Sequence, residues 1–158
     1  GMYKITFLTI IKKENSAVNA VYYPVSIKDL NKTDKRESGY CRVKVEGKDL
    51  SFYGKKIKTK NKNFWVYAAN PGKIKKPNNS HPIVQSYVDL FIGGCFQIKD
   101  KYKINEFPKQ CVETTTEWSK YWVNDRVHAR RPFLVPNFYK IDKLLSNYFD
   151  YYLENKYQ

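Results

Sequence analysis

Apolar and polar residues alternate along much of the first half of the chain, a pattern that predicts β-strands. The clearest alternation covers residues 40–45, where apolar side chains alternate with Arg42 and Lys44. Residues 3–11, 20–27, 50–54 and 64–69 are also rich in β-branched and aromatic residues. Together these five segments predict an antiparallel meander of about five strands. Between them, the sequence predicts a charged loop over residues 28–39 and turns at residues 46–49 and 70–72.

The second half of the chain is less regular and favours helices. Residues 83–92 are apolar and end at Gly93-Gly94, so strand and short helix are both open there. Thr114 and Glu117 match a capping box and predict a helix that runs to about residue 126. A last amphipathic helix is predicted after Asn137, a candidate N-cap. Its apolar positions follow helical spacing: Ile141, Leu144, Leu145, Tyr148, Phe149 and Tyr152.

We therefore predict an α+β fold, in which the N-terminal meander precedes helices that include the C-terminal amphipathic one. The chain has no internal repeat and no low-complexity linker, so we expect residues 2–158 to form a single domain. Gly1 precedes Met2 and is expected to be a remnant of tag cleavage. A chain of 158 residues can bury a sufficient core without metals or disulfides.

Composition excludes several protein classes. At 42% hydrophobic and 16% aromatic residues, the chain is too apolar to be disordered. No apolar run reaches about 18 residues, so no membrane-spanning helix is expected. Three cysteines without a secretory signal pattern predict reduced thiols and a cytoplasmic protein. The oligomeric state stays open.

The net charge of +14 is concentrated in one part of the sequence. Residues 55–76 contain eight lysines and no acidic residue, which is more than half of the net charge in 22 residues. A lysine excess caused by codon bias would be distributed along the whole chain. It would not be concentrated in one segment. We call these lysines the basic ribbon: Lys55, Lys56, Lys58, Lys60, Lys62, Lys73, Lys75 and Lys76.

The basic ribbon flanks an aromatic strand, a combination typical of single-stranded nucleic-acid binding. Strand alternation directs Trp65 and Tyr67 to one face and Phe64 and Val66 to the other. One pair is thereby available for base stacking. The alternative is that both pairs are covered and that the lysines only keep the strands soluble.

Arginine is scarce in this chain, yet three of its five copies, Arg126, Arg130 and Arg131, lie within six residues. Such sparing use indicates positions that need the planar guanidinium, for phosphate, carboxylate or a stacked ring. The alternative is a surface cluster at a helix C-terminus.

Two catalytic hypotheses have weaker support. Gly93-Gly94 before Cys95 would need to form a sharp turn that exposes an oxyanion hole, with His81 or His128 as the base. Glu46 and Lys48 with Asp34 upstream match a metal-dependent nuclease, although the pattern also fits an ordinary turn. Cys41 and Cys111 are expected to be small core residues. No metal site and no cofactor are predicted.

The leading hypothesis is a binding domain without catalysis. Nucleic acid, single-stranded or RNA, or another polyanion would be its partner through the basic ribbon, Trp65, Tyr67 and the three arginines. One alternative is a small enzyme for a phosphorylated or nucleic-acid substrate, with His128 near its site. The other is a protein-interaction module for an acidic partner.

Overall fold

A computed structural model describes residues 4–54, 57–131 and 135–154, and it divides the chain into two compact units. The basic unit comprises Leu8–Glu14 and Tyr22–Lys75. The helical unit comprises Gly1–Phe7, Asn15–Val21 and Lys76–Gln158. The α+β class is confirmed, whereas the organisation as a single domain stays a prediction.

The basic unit is built from one helix and two paired strands. Helix α1 spans Ile27–Arg36, strand β1 spans Tyr40–Val45 and strand β2 spans Phe64–Ala69. The strands pair antiparallel, with Val45 opposite Phe64 and Tyr40 opposite Ala69. Short 3-10 turns follow each strand, at Gly47–Asp49 and Pro71–Lys73. The turns predicted at these two places are confirmed.

No described residue of the basic unit is buried. The basic unit instead has contacts between aromatic rings on the face of the sheet that carries Phe64. The ring of Tyr22 meets Phe52 and Phe64 edge to face, with centroids 5.9 and 6.1 Å apart. Such pairs stabilise a small sheet by about 0.5–1.5 kcal/mol each.

The helical unit holds the hydrophobic core. Strand β3, Ile83–Val84, pairs in parallel with β4, Trp122–Val123. The helices are α2, Gln85–Tyr102, α3, Phe107–Glu113, α4, Phe138–Ser146, and α5, Tyr151–Glu154. The buried core consists of Ile83, Val88, Ile92, Cys95, Phe107, Cys111, Val112, Trp122, Ile141, Leu145 and Tyr152.

Gly93 lies inside α2 and lets this helix approach the start of α4. A Cβ atom at this position would lie 2.9 Å from Cγ1 of Val135 and 3.9 Å from Cδ1 of Ile141. The absence of a side chain at Gly93 is therefore what permits the packing. In the part of the chain that the structure describes, none of the helices has the length and apolar composition of a membrane span.

The five-strand meander is wrong, because only β1 and β2 of its strands form. Residues 4–6 run beside residues 80–82 with two backbone hydrogen bonds, which is too few for a ladder. Residues 20–26 contain Pro24, which has no N–H to donate, and end at a helix cap. Residues 50–54 are irregular and end at Gly54 with a φ of +77°.

The loop predicted over residues 28–39 is also wrong, because most of it is α1. Ser26 is the N-cap, and its hydroxyl oxygen accepts the N–H of Asp29 at 3.1 Å. The Ser26 hydroxyl in turn donates to the Asp29 carboxylate at 2.7 Å. This reciprocal cap, not an apolar stripe, marks the start of the helix.

The helix predicted to begin at Thr114 does not form. The Thr114 hydroxyl donates backwards to the Gln110 carbonyl at 2.7 Å, so Thr114 ends α3. Glu117 adopts a φ of 63°, which an α-helix does not allow. The chain then reaches β4 in an irregular path.

The predicted C-terminal helix is divided in two. Asn137 is the N-cap residue of α4, as predicted, but its side chain makes no capping hydrogen bond. Helix α4 ends at Ser146, and the N–H groups of Tyr148 and Phe149 both donate to the Leu145 carbonyl. Tyr152 is then buried from the separate helix α5.

Leu145 is fully buried, so its truncation tests the described core. We expect Leu145→Ala to lower the free energy of unfolding by about 2–5 kcal/mol, because the lost contacts leave a cavity. Urea denaturation measures this change. Val127 is 87% exposed, so Val127→Ala is the control and should change stability by less than about 0.5 kcal/mol. Equal effects of the two substitutions would contradict the packing of α4.

Candidate nucleic-acid interface

The antiparallel register of β1 and β2 places cationic and aromatic side chains on one face of the sheet. Arg42 lies opposite Tyr67, and Lys44 lies opposite Trp65. Directly opposed residues share a face, so these four side chains form one surface, the cation–aromatic face. The alternation predicted for Trp65 and Tyr67 is confirmed by this register.

Trp65 is the exposed ring of the cation–aromatic face, with 39% of its surface accessible. The Arg42 guanidinium carbon lies 4.8 Å from the Trp65 ring centroid, which is a cation–π distance. Lys44 is exposed and lies 3.9 Å from a Glu46 carboxylate oxygen. The face therefore combines an accessible aromatic ring with two cations.

Asp34 of α1 holds the other end of this face. Its carboxylate accepts hydrogen bonds from Arg42 Nη1 at 2.9 Å and from the Tyr67 hydroxyl at 2.6 Å. Partial burial and the bond to Asp34 raise the pKa of Tyr67. Asp34 thus fixes the tilt of Arg42 over Trp65, while Tyr67 is half-buried and held by its hydroxyl group.

Part of the segment that carries the basic ribbon lies beside the turn that follows β1. Thr59 packs on Gly47, where an added Cβ would lie 2.7 Å from the Thr59 hydroxyl oxygen. The lysines on either side, Lys58 and Lys60, are exposed. Also exposed in the basic unit are Lys62, Lys73 and Lys75. Lys55 and Lys56 lie outside the described residues.

Lys76 belongs to the helical unit, where it pairs with Glu117 at 3.2 Å. Both side chains are largely exposed, so this pair contributes little to stability. Counted by unit, 16 of the 29 basic residues and 6 of the 15 acidic residues belong to the basic unit. That unit thus carries +10 of the net +14.

Arg126, a predicted ligand residue, is paired within the helical unit. Its guanidinium makes bidentate hydrogen bonds to Asp89, at 2.7 Å each, and to Asp142, at 2.7 and 3.1 Å. Burial alone would lower the pKa of Arg126, but these carboxylates raise it above its usual value. The charge of Arg126 is thus engaged by Asp89 and Asp142, and a role for Arg126 in ligand binding stays a prediction.

The acids around Arg126 are themselves buried and fully engaged. Asp89 accepts the side-chain amide of Gln85 at 2.8 Å, and Asp142 accepts the Tyr152 hydroxyl at 2.7 Å. Burial and the bond to Asp142 raise the pKa of Tyr152. We call the set of Arg126, Asp89, Asp142, Gln85 and Tyr152 the buried ion-pair network.

A third buried carboxylate, Asp125, caps the N-terminus of α2. It accepts the backbone N–H of Ser86 at 2.7 Å and the Ser86 hydroxyl at 2.6 Å. The backbone N–H of Arg130 also donates to Asp125, at 2.8 Å. The segment that carries Arg130 and Arg131 is thereby attached to the start of α2. Both arginines lie in the helical unit, and the ribbon lysines of residues 58–75 in the basic unit.

The catalytic hypotheses find no support in the local geometry. Gly93 and Gly94 are in the middle of α2, so no sharp turn precedes Cys95. A hydrogen bond with the Cys111 thiol and burial raise the pKa of Cys95, which disfavours the thiolate. Cys111 is buried as predicted, whereas Cys41 is exposed on β1 and is not a core residue. In the nuclease pattern, the Asp34 carboxylate is engaged by Arg42 and Tyr67.

Among the residues that the structure describes, no group of three or more His, Cys, Asp or Glu side chains could hold a metal ion. Comparisons with known protein families, curated proteins and solved structures find no match for the chain.

Sequence reasoning missed Arg42 and Lys44 as candidate site residues. The signal was available, because the alternation of residues 40–45 already placed both cations on one face. What was missing was the register, which sets Lys44 opposite Trp65. Register depends on long-range pairing and cannot be read from either strand alone.

The buried ion-pair network makes a prediction about Arg126. Arg126→Met leaves two buried carboxylates without their cation, so we expect a loss of about 3–5 kcal/mol in the free energy of unfolding. Chemical denaturation measures the loss. Arg36 pairs with Glu37 at the surface, and Arg36→Met, the matched control, should cost less than about 1 kcal/mol. A negligible effect of Arg126→Met would show that the network does not stabilise the helical unit.

Proposed function

We propose that the basic unit binds single-stranded nucleic acid through the cation–aromatic face and the basic ribbon. The observation that carries the proposal is the exposure of Trp65 with Arg42 at 4.8 Å and Lys44 directly opposite. Bases stack on such rings, and phosphates pair with the cations around them.

A single strand fits this surface better than a duplex does. Stacking on Trp65 needs a base whose ring face is accessible, and bases in a duplex stack on each other. A face of two short strands also offers no helix that would enter a major groove. We therefore expect unpaired oligonucleotides to bind more tightly than a duplex of the same length.

Lysine dominates the ribbon, which favours contacts to phosphate over readout of bases. The lysine ammonium is a point charge, whereas base recognition in DNA typically uses the planar fork of arginine. Arg42, the arginine of this face, already shares its guanidinium with Asp34. Modest sequence preference follows from this chemistry.

The first binding prediction uses salt dependence. Each lysine that neutralises a phosphate of a single strand contributes about 0.7 to the slope of log K against log salt. Replacing Lys58, Lys60 and Lys62 by Gln should therefore flatten the slope by about 2, as measured by fluorescence anisotropy with an oligonucleotide. Stability should change little, because all three lysines are exposed.

The matched control replaces three exposed lysines of the helical unit, Lys120, Lys140 and Lys143, by Gln. This variant has the same net charge as the first, so a general charge effect would flatten both slopes equally. We expect the control to keep the wild-type slope. If the ribbon variant also keeps it, the ribbon does not contact the strand.

The second binding prediction concerns Trp65. Trp65→Ala should weaken oligonucleotide binding by about 1–3 kcal/mol, because it removes one stacked base. The salt slope should stay the same, because stacking releases no counterions. Tyr23 lies outside the two strands and is 69% exposed, so Tyr23→Ala is the control and should leave affinity unchanged. Unchanged affinity in a folded Trp65→Ala protein would refute stacking at this face.

A further inference from the structure

Arg131 of the helical unit contacts two aromatic rings that also contact each other. Its guanidinium carbon is 5.4 Å from the ring centroid of Phe7 and 5.5 Å from that of Tyr87. The two rings meet edge to face, with centroids 5.6 Å apart. Phe7 is half exposed, so this arrangement lies at the surface of the unit.

The guanidinium of Arg131 has no anionic partner within the described segments. Its Nε atom is buried and makes no hydrogen bond there. Buried polar groups are ordinarily paired, because desolvation without a hydrogen bond costs free energy. The buried Nε–H of Arg131 therefore lacks the hydrogen-bond acceptor that such a donor ordinarily has.

Arg126 shows which partners another arginine of this unit has. It too packs on an aromatic ring, with its guanidinium carbon 4.6 Å from the Phe138 centroid. It also receives two bidentate carboxylates, from Asp89 and Asp142. Arg131, five residues later, has the aromatic contacts without the carboxylates.

The nearby acid is not available to Arg131. Asp125 already accepts hydrogen bonds from the Ser86 backbone and hydroxyl groups and from the Arg130 backbone. The backbone N–H of Arg131 donates to the Ser86 hydroxyl at 3.2 Å, which fixes its position relative to α2. The backbone of Arg131 is thus held in place, while its Nε–H has no hydrogen-bond partner among the described residues.

We propose that Arg131 binds an external oxyanion, a phosphate or a carboxylate group, through its guanidinium fork. Either group presents two oxygens with the spacing of the fork. Phe7 and Tyr87 hold the guanidinium plane, and aromatic edges carry the positive end of the ring quadrupole, which favours an anion beside them. This site belongs to the helical unit and is independent of the nucleic-acid binding proposed for the basic unit.

The direct test is a titration of the full chain with inorganic phosphate and, separately, with acetate. The readout is the Arg131 Nε–H resonance in 15N-correlated NMR spectra, assigned by its loss in Arg131→Lys. We expect this resonance to shift and saturate with at least one of the two anions. Tighter binding of phosphate would identify the natural ligand as a phosphate group, and tighter binding of acetate would identify it as a carboxylate. No shift of this resonance with either anion overturns the proposal.

Two variants locate the binding. Arg131→Lys keeps the charge and removes the fork, so the dissociation constant for the anion should rise about tenfold. Anion binding by this variant is followed on the backbone amide signals. Arg36→Lys is the matched control and should keep the wild-type dissociation constant. The variant with Gln at Lys58, Lys60 and Lys62 should also keep it. Loss of anion binding in that variant but not in Arg131→Lys would assign the anion to the ribbon and overturn the proposal.

Discussion

The pairing of Arg126 with Asp89 and Asp142 is the interaction on which the helical unit depends. Three charged groups are removed from water, and each carboxylate would be strongly destabilising without the guanidinium between them. Because Asp89 lies on α2 and Asp142 on α4, one side chain joins the two helices. Tyr152 extends this connection to α5 through its bond to Asp142. The short segment after β4 is thereby fixed, and the backbone of Arg131 is held separately by its hydrogen bond to Ser86.

The basic unit is organised by a different constraint, the register of two strands. It has no buried residue in its described part, so charge and aromatic contacts decide its surface. The register sets Arg42 and Lys44 against Tyr67 and Trp65, and Asp34 fixes the arginine over the indole ring. In the helical unit the charge of Arg126 is paired with Asp89 and Asp142, whereas most of the net positive charge of the chain is carried by the basic unit. That division is the physical reason for proposing nucleic-acid binding by the basic unit.

Local patterns predicted part of this fold correctly. Alternation identified β1 and β2, because neighbouring residues alone determine which face a side chain occupies. The buried positions Ile141 and Leu145 also followed from helical spacing. The capping pattern at Thr114 failed because that residue closes α3, while the equivalent pattern at Ser26 was a true helix start. Only the tertiary context distinguishes the two.

The candidate site was harder to predict, because it depends on distant pairings. Arg126 looked like an exposed ligand, since its partner Asp89 lies 37 residues away in the sequence. Arg42 was overlooked because its neighbour Trp65 lies on another strand. Charge composition located the basic ribbon correctly as a sequence feature, but it could not show which cations are already paired.

The most direct test follows the three tryptophan indole N–H signals by NMR while a single-stranded oligonucleotide is added. Trp118 and Trp122 donate their indole N–H groups to Val112 and Gln85 in the helical unit. Trp65 lies exposed on the cation–aromatic face. We expect the Trp65 signal, assigned by its loss in Trp65→Phe, to shift on binding while the other two stay in place. A Trp65 signal that does not move at saturating oligonucleotide would contradict binding at the cation–aromatic face.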